Sequence, residues 1–140
     1  MNFLEIISAH VRWKQRLRDY IQHKAEPLDP AIIGRDDQCT LGKWIYGEGQ
    51  AYTHAGNFEK VRIEHAAFHK HAAAVVTFVN RGDIDLATQI LNGEYAKVSN
   101  HLKRDIIALA QEVGASLDQT QAAKRLTDNS PVANPEDSDS

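Results

Sequence analysis

Apolar side chains recur at helical spacing along most of the first 117 residues, and nowhere do they alternate as they would in a strand. From Asn2 to Lys24 the stripe is Phe3, Ile6, Ile7, His10, Trp13, Leu17, Tyr20 and Ile21, with Arg12, Lys14, Arg16, Arg18 and Asp19 filling much of the other face. Pro27 and Pro30 end this helix and open a polar linker from Glu26 to Gln38. A short helix is expected from about Thr40 to Tyr46, stopped by Gly47 and Gly49. A long one follows from about Thr53 to Asn80 through Phe58, Val61, His65, Phe68, Ala72, Val75 and Val79, with His69 beside the stripe. Arg81-Gly82 closes it, and Asp83 is a natural N-cap for the next helix. The last stretch runs to about Leu117 through Leu86, Ile90, Tyr95, Val98, Leu102, Ile106, Leu109 and Val113, with Gly93 as a point of breakage or kinking. The fold these elements predict is all-α: an antiparallel four-helix bundle with a short extra helix that carries Cys39.

Composition narrows the picture. With 140 residues, 42% of them hydrophobic and 25% charged, the chain is long enough for one core without disulfide staples. Residues 1–117 carry 14 basic and 14 acidic side chains, so the net charge of −3 comes from the remainder. Beyond Leu117 the sequence is rich in Gln, Thr, Asp, Ser, Asn and Pro, which predicts a disordered, acidic tail over 118–140 beside a folded domain over 1–117. No basic field is available for nucleic acid or an anionic membrane surface. A single cysteine excludes an internal disulfide and fits a reducing compartment. Glu5, His10, Arg12 and Lys14 interrupt any apolar leader, so a cytoplasmic location is expected.

That cysteine is the chemically informative residue. Cys39 opens Cys39-Thr40-Leu41-Gly42-Lys43-Trp44, preceded by His10-Val11-Arg12-Trp13 and followed by His65-Ala66-Ala67-Phe68-His69. His65 and His69 stand one helical turn apart, so both rings can reach one point. His10 lies on the inward stripe of the first helix. Three imidazoles and one thiol buried in a small bundle are costly without a shared partner, and together they make a complete tetrahedral zinc set. His71 falls about 200° round the helix from His69, while His23, His54 and His101 lie near helix ends or flank a stripe. Surface and capping roles suit these four better, with His71 or His101 as substitutes should one of the three fail.

Enzyme signatures are lacking. Ala66 stands where a zinc protease helix needs its glutamate base, no Glu-x-x-His pair exists for a di-iron bundle, and no phosphate-binding glycine loop is present. Four protein ligands would leave no open position to activate water, so a non-enzymatic role is expected. An iron carrier or oxygen-binding bundle would need carboxylate ligands that the pattern does not offer.

The order His10-x-x-Trp13, Cys39-x-x-Gly42-x-Trp44, His65-x-x-x-His69 resembles the chemoreceptor zinc-binding domain family over about residues 3–115. The resemblance implies a helical bundle holding one zinc ion through His10, Cys39, His65 and His69. It further implies a homodimer attached to, or acting on, a bacterial chemoreceptor, a diguanylate cyclase of cyclic-di-GMP signalling or another signalling protein, regulated by zinc or by oxidation of the thiolate. The chain itself contains neither a receptor signalling helix nor a cyclase domain, which leaves a stand-alone member or a piece of a longer protein. A zinc-stabilised dimerisation module without sensing is the rival expectation.

Overall fold

The computed structural model describes residues 2–23 and 26–128, with side chains up to residue 114. Helix α1 (Phe3–Gln22) starts where the Asn2 side chain accepts the Glu5 amide, and its buried positions are Ile6, Ala9, His10, Trp13, Leu17 and Tyr20. It ends at Gln22, ahead of Pro27, and Pro30 begins the next element. Within the expected linker lies a one-turn helix, α2 (Pro30–Ile33), because Asp29 caps the Ala31 amide and Pro30 has its φ already set for the first turn.

Helix α3 (Thr40–Tyr46) carries Cys39 as its N-cap and is followed by a 3-10 turn, Glu48–Tyr52. Helix α4 (Phe58–Asn80) begins five residues later than the periodicity from Thr53 suggests. The 3-10 turn and the weak helix formers Gly56 and Asn57 occupy the interval, and the Glu112 carboxylate accepts the Asn57 amide across the bundle at 3.0 Å. At its other end Gly82 sits at φ 83°, Gly82 N–H donates to Val79 O and Asp83 N–H donates to Phe78 O, the doubled closure that ends a helix cleanly. Asp83 then caps α5 (Ile84–Ile90) by accepting the Leu86 amide.

The stretch after Asp83 is not one regular helix. A π-helical turn, Leu91–Tyr95, separates α5 from α6 (Ala96–Asp128) and includes Gly93, where the break was expected. The expected tail from residue 118 falls partly in α6, and residues 129–140 lie outside the described residues.

The described residues are helical with no strand among them, and α1, α4, α5 and α6 pack together as a four-helix bundle with α3 as the small extra helix. Leu17, Val61, Phe68, Val75, Val76, Tyr95, Leu102, Ile106 and Leu109 form its centre. A polar tie closes one end: Tyr20 donates to the Asn80 side chain and accepts the Leu28 amide, while Asn80 donates back to Leu28 O. That tie brings the chain after α1 back against α4, which delivers α2 and then α3 beside the two α4 histidines. Among the described residues no helix is long and apolar enough to cross a membrane.

Candidate metal centre

Each segment that carries a candidate ligand reaches the site for a local reason. Helix α1 turns His10 inward because the ring continues the Ile6–Trp13 stripe, and His10 is 4% exposed. Helix α4 places His65 and His69 on successive turns, their rings 4.5 Å apart. Cys39 arrives at the start of α3, whose Leu41 and Ile45 are fully buried and whose Trp44 packs among Phe3, Tyr52 and Phe58. Gly42 is needed there: a Cβ at that position would stand 1.8 Å from the Asp36 carbonyl oxygen, so only glycine lets the turn 36–37 lie against α3.

The four side chains meet. One candidate ligand atom from each of His10, Cys39, His65 and His69 lies within 4.8 Å of every other, and all four residues are buried. Cys39 Sγ is 3.1 Å from His65 Nε2 and 3.7 Å from His69 Nε2, and the two Nε2 atoms are 3.0 Å apart. Around a tetrahedral zinc ion, bond lengths of about 2.0–2.3 Å imply ligand separations of roughly 3.3–3.7 Å. The cluster is already close to that size.

Hydrogen bonding fixes which nitrogens face inward. His10 Nδ1 donates to Ile6 O at 2.8 Å and His69 Nδ1 donates to Ile33 O at 2.9 Å. A carbonyl oxygen can only accept, so both Nδ1 atoms carry the proton and both Nε2 atoms offer a lone pair. This is the usual outer support of a metal-binding histidine, which sets tautomer and ring angle together. His10 Nε2 is buried with no hydrogen-bond partner. The Gly42 amide donates to Cys39 Sγ at 3.4 Å, and the sulfur sits at the start of a helix, where thiolate is favoured.

Electrostatics agree with the geometry. Burial lowers the pKa of His10 to about 4, with the neighbouring His69 adding to the effect and the Ile6 carbonyl opposing it. His65 is pushed well below the ordinary imidazole value, first by burial and then by His10 and His69. His69 is lowered by burial, opposed by the Ile33 carbonyl and Asp36. Three neutral rings with lone pairs beside a sulfur form a pocket of ligand atoms, which repel one another unless a cation lies among them. The residues therefore fit a metal ion of zinc's ligand preference.

The other histidines stay apart from the cluster, His71 and His101 half-buried and His23 and His54 exposed. Sequence reasoning did not find the outer groups. The Ile6 and Ile33 carbonyls carry no side-chain signal, although Asp29-Pro30 marks α2 and so the element that supplies Ile33 O.

Helices packed around a buried cluster of three imidazoles and one thiol define a helical metal-binding domain. The match is specific: the family model of the chemoreceptor zinc-binding domain covers residues 10–76, just under half of the chain and a stretch that includes all four cluster residues. The resemblance carried by the motifs is thus borne out over residues 10–76, the family it matches is a zinc-binding one, and the cluster is positioned to bind a metal ion. The family is associated with chemoreceptors and other signalling proteins. Comparison with curated proteins and with solved structures returned no match.

Proposed function

We propose that the chain is a non-enzymatic regulatory domain whose zinc ligands are His10, Cys39, His65 and His69, with Cys39 the labile one. The observation that supports this most directly is the convergence of those four side chains in a buried cluster built from two long helices and one short one. Bound zinc supplies a cross-link between the α3 arm and the bundle. The chain's own residues do the rest: Ile6 O and Ile33 O hold two imidazoles in register, and the Gly42 amide supports the thiolate.

One equivalent of a two-electron oxidant such as hypochlorous acid would convert the thiolate to a sulfenic acid with release of chloride, and a second equivalent would carry it to a sulfinic acid, each a poorer donor to zinc. With Cys39 only 5% exposed, the reaction requires the α3 arm to open, so arm opening and signal are coupled. The partner in this reading is a chemoreceptor, a diguanylate cyclase or another signalling protein, the domain acts as a homodimer, and its place is the cytoplasm. Residues 1–117 form the folded unit in this reading, since Val113 is the last buried core position among the described side chains, and 118–140 form an acidic tail. The assignment is tested by zinc stoichiometry and affinity of Cys39→Ala. Binding equal to that of the wild type overturns it.

The burial of Leu41, Trp44 and Ile45 favours a second reading, a structural zinc domain that stabilises a dimer without sensing. Chelator and oxidant titrations separate the two when Trp13 is replaced by phenylalanine, so that Trp44 alone reports. A sensor keeps its helical circular dichroism while Trp44 emission shifts. A structural site either loses its helicity together with its metal or stays silent.

A further inference from the structure

Two polar atoms remain deep in the bundle after the site is accounted for: His65 Nδ1 and the Tyr95 hydroxyl, both buried without a hydrogen-bond partner. Both residues are 0% exposed, so neither atom can turn to bulk water. Such groups cost about 1–3 kcal/mol each when left unpaired. They are also complementary. With His65 Nε2 facing Cys39 Sγ and His69 Nε2, the ring's proton belongs on Nδ1, where it needs an acceptor. His10 and His69 each have a backbone carbonyl for this purpose, and His65 has none.

The fold brings Tyr95 to the same part of α4. Its ring lies 5.1 Å from that of Phe68, which sits one helical turn beyond His65 and meets His10 at 5.0 Å and His69 at 5.5 Å. Tyr95 ends the π-helical turn Leu91–Tyr95, an irregularity that re-aims a side chain at a cost a regular helix would avoid. Glu64 also has a buried, unpartnered oxygen, but it points about 100° round α4 from His65, and its neighbours are Asp105, Arg104 and Lys60.

We propose that Tyr95 is the positioning residue for His65: its hydroxyl, beyond direct hydrogen-bond reach of Nδ1, accepts the Nδ1–H through one buried water when His65 binds zinc through Nε2. This rests on His65 being a ligand. It makes the half of the chain beyond residue 76 contribute to the site, through a residue that touches no metal.

The experiment compares Tyr95→Phe, Glu64→Gln and His65→Ala with the wild type, using a chromophoric chelator for zinc affinity and thermal unfolding of the chelated protein. Tyr95→Phe should bind zinc about ten- to a hundredfold more weakly, the usual cost of losing an outer-shell partner, while its chelated form is no less stable than the wild type. Glu64→Gln should keep wild-type affinity. A purely packing role for Tyr95 predicts unchanged affinity, and an affinity within about twofold of the wild type overturns the proposal, as does a loss confined to Glu64→Gln. If His65→Ala binds as tightly as the wild type, the ligand assignment itself fails, which is a different result. Nitrogen-correlated NMR of the zinc-loaded wild type gives a second test that needs no variant: His65 Nδ1–H should be slowly exchanging and shifted by a hydrogen bond. A rapidly exchanging Nδ1–H, or none, counts against Tyr95.

Discussion

The histidine side of the site and the cysteine side are built on different principles. His10, His65 and His69 ride on α1 and α4, helices of 20 and 23 residues whose apolar stripes make much of the bundle core. Cys39 rides on a seven-residue helix reached through a one-turn helix and several bends. Yet the arm is not loose, because Leu41 and Ile45 are fully buried and Trp44 is wedged among three aromatic rings. The difference is one of redundancy. Removing the metal leaves α1 and α4 packed through many apolar contacts, whereas the arm keeps a few anchors and loses its central link. In the proposed function, lability would therefore belong to the bond at sulfur before it belonged to the segment.

The largest test of that contrast is to remove one ligand from each side. Zinc binding worth about 10–16 kcal/mol is about 2.5–4 kcal/mol for each of four ligands, so either His65→Ala or Cys39→Ala should weaken binding by about two to three orders of magnitude at most and not less than about fiftyfold. The chelated variants should then diverge. His65→Ala opens a hole in the core, while Cys39→Ala removes only a sulfur and should cost the metal-free protein about 1 kcal/mol or less. Chemical denaturation of both chelated variants checks this, and equal losses would break the comparison.

Acid should act next, through the histidine side. In the chelated protein His10 titrates at about 4 instead of 6.5, so between those values the unfolded chain binds more protons than the folded one. Stability is then complete above about pH 6.5 and falls as pH drops towards 4, by about 3 kcal/mol from this residue alone. His65 and His69 shift in the same direction and steepen the fall. A flat unfolding profile from pH 7 to pH 4 would contradict the burial of three neutral rings.

Gly42→Ala addresses the arm. Its Cβ would collide with the Asp36 backbone, so the arm must shift, with an expected loss of about 2 kcal/mol and weaker zinc binding. Trp44 emission should change while the α1 and α4 amide signals stay in place. The smallest effect is expected from Tyr46→Phe, which removes a hydrogen bond to Asp36 at an exposed site and should cost less than about 1 kcal/mol by thermal unfolding.

The same contrast explains what could be read from the chain. Long periodic stripes made α1 and α4 legible, and with them the inward direction of His10, His65 and His69. Cys39 at a helix start was legible because Gly47 and Gly49 bound the short helix. One-turn α2 escaped notice since four residues give no periodicity, and its capping pair Asp29-Pro30 is the only local mark. The late start of α4 reflects a 3-10 turn that shares its composition with a helix, and the π turn shows in sequence only as Gly93. Backbone carbonyls that orient imidazoles have no letter of their own. The division at residue 117 rests on composition, and the described part of α6 runs past it.

One consequence follows from the way His69 is held. Its Nδ1 is bound by Ile33 O and its Nε2 faces Cys39 Sγ, so residues 33–39 form a closed strap gripping a single ring from both edges. In the proposed function, a Cys39 thiolate that left zinc would stay moored at Ile33, a few residues away. Its local concentration at the vacated position is then set by the strap, in the millimolar range or above for so short a tether, and not by dilution. In the proposed function, re-ligation after reduction would be a first-order event, which would let the domain reset at a rate independent of how many copies the cell holds.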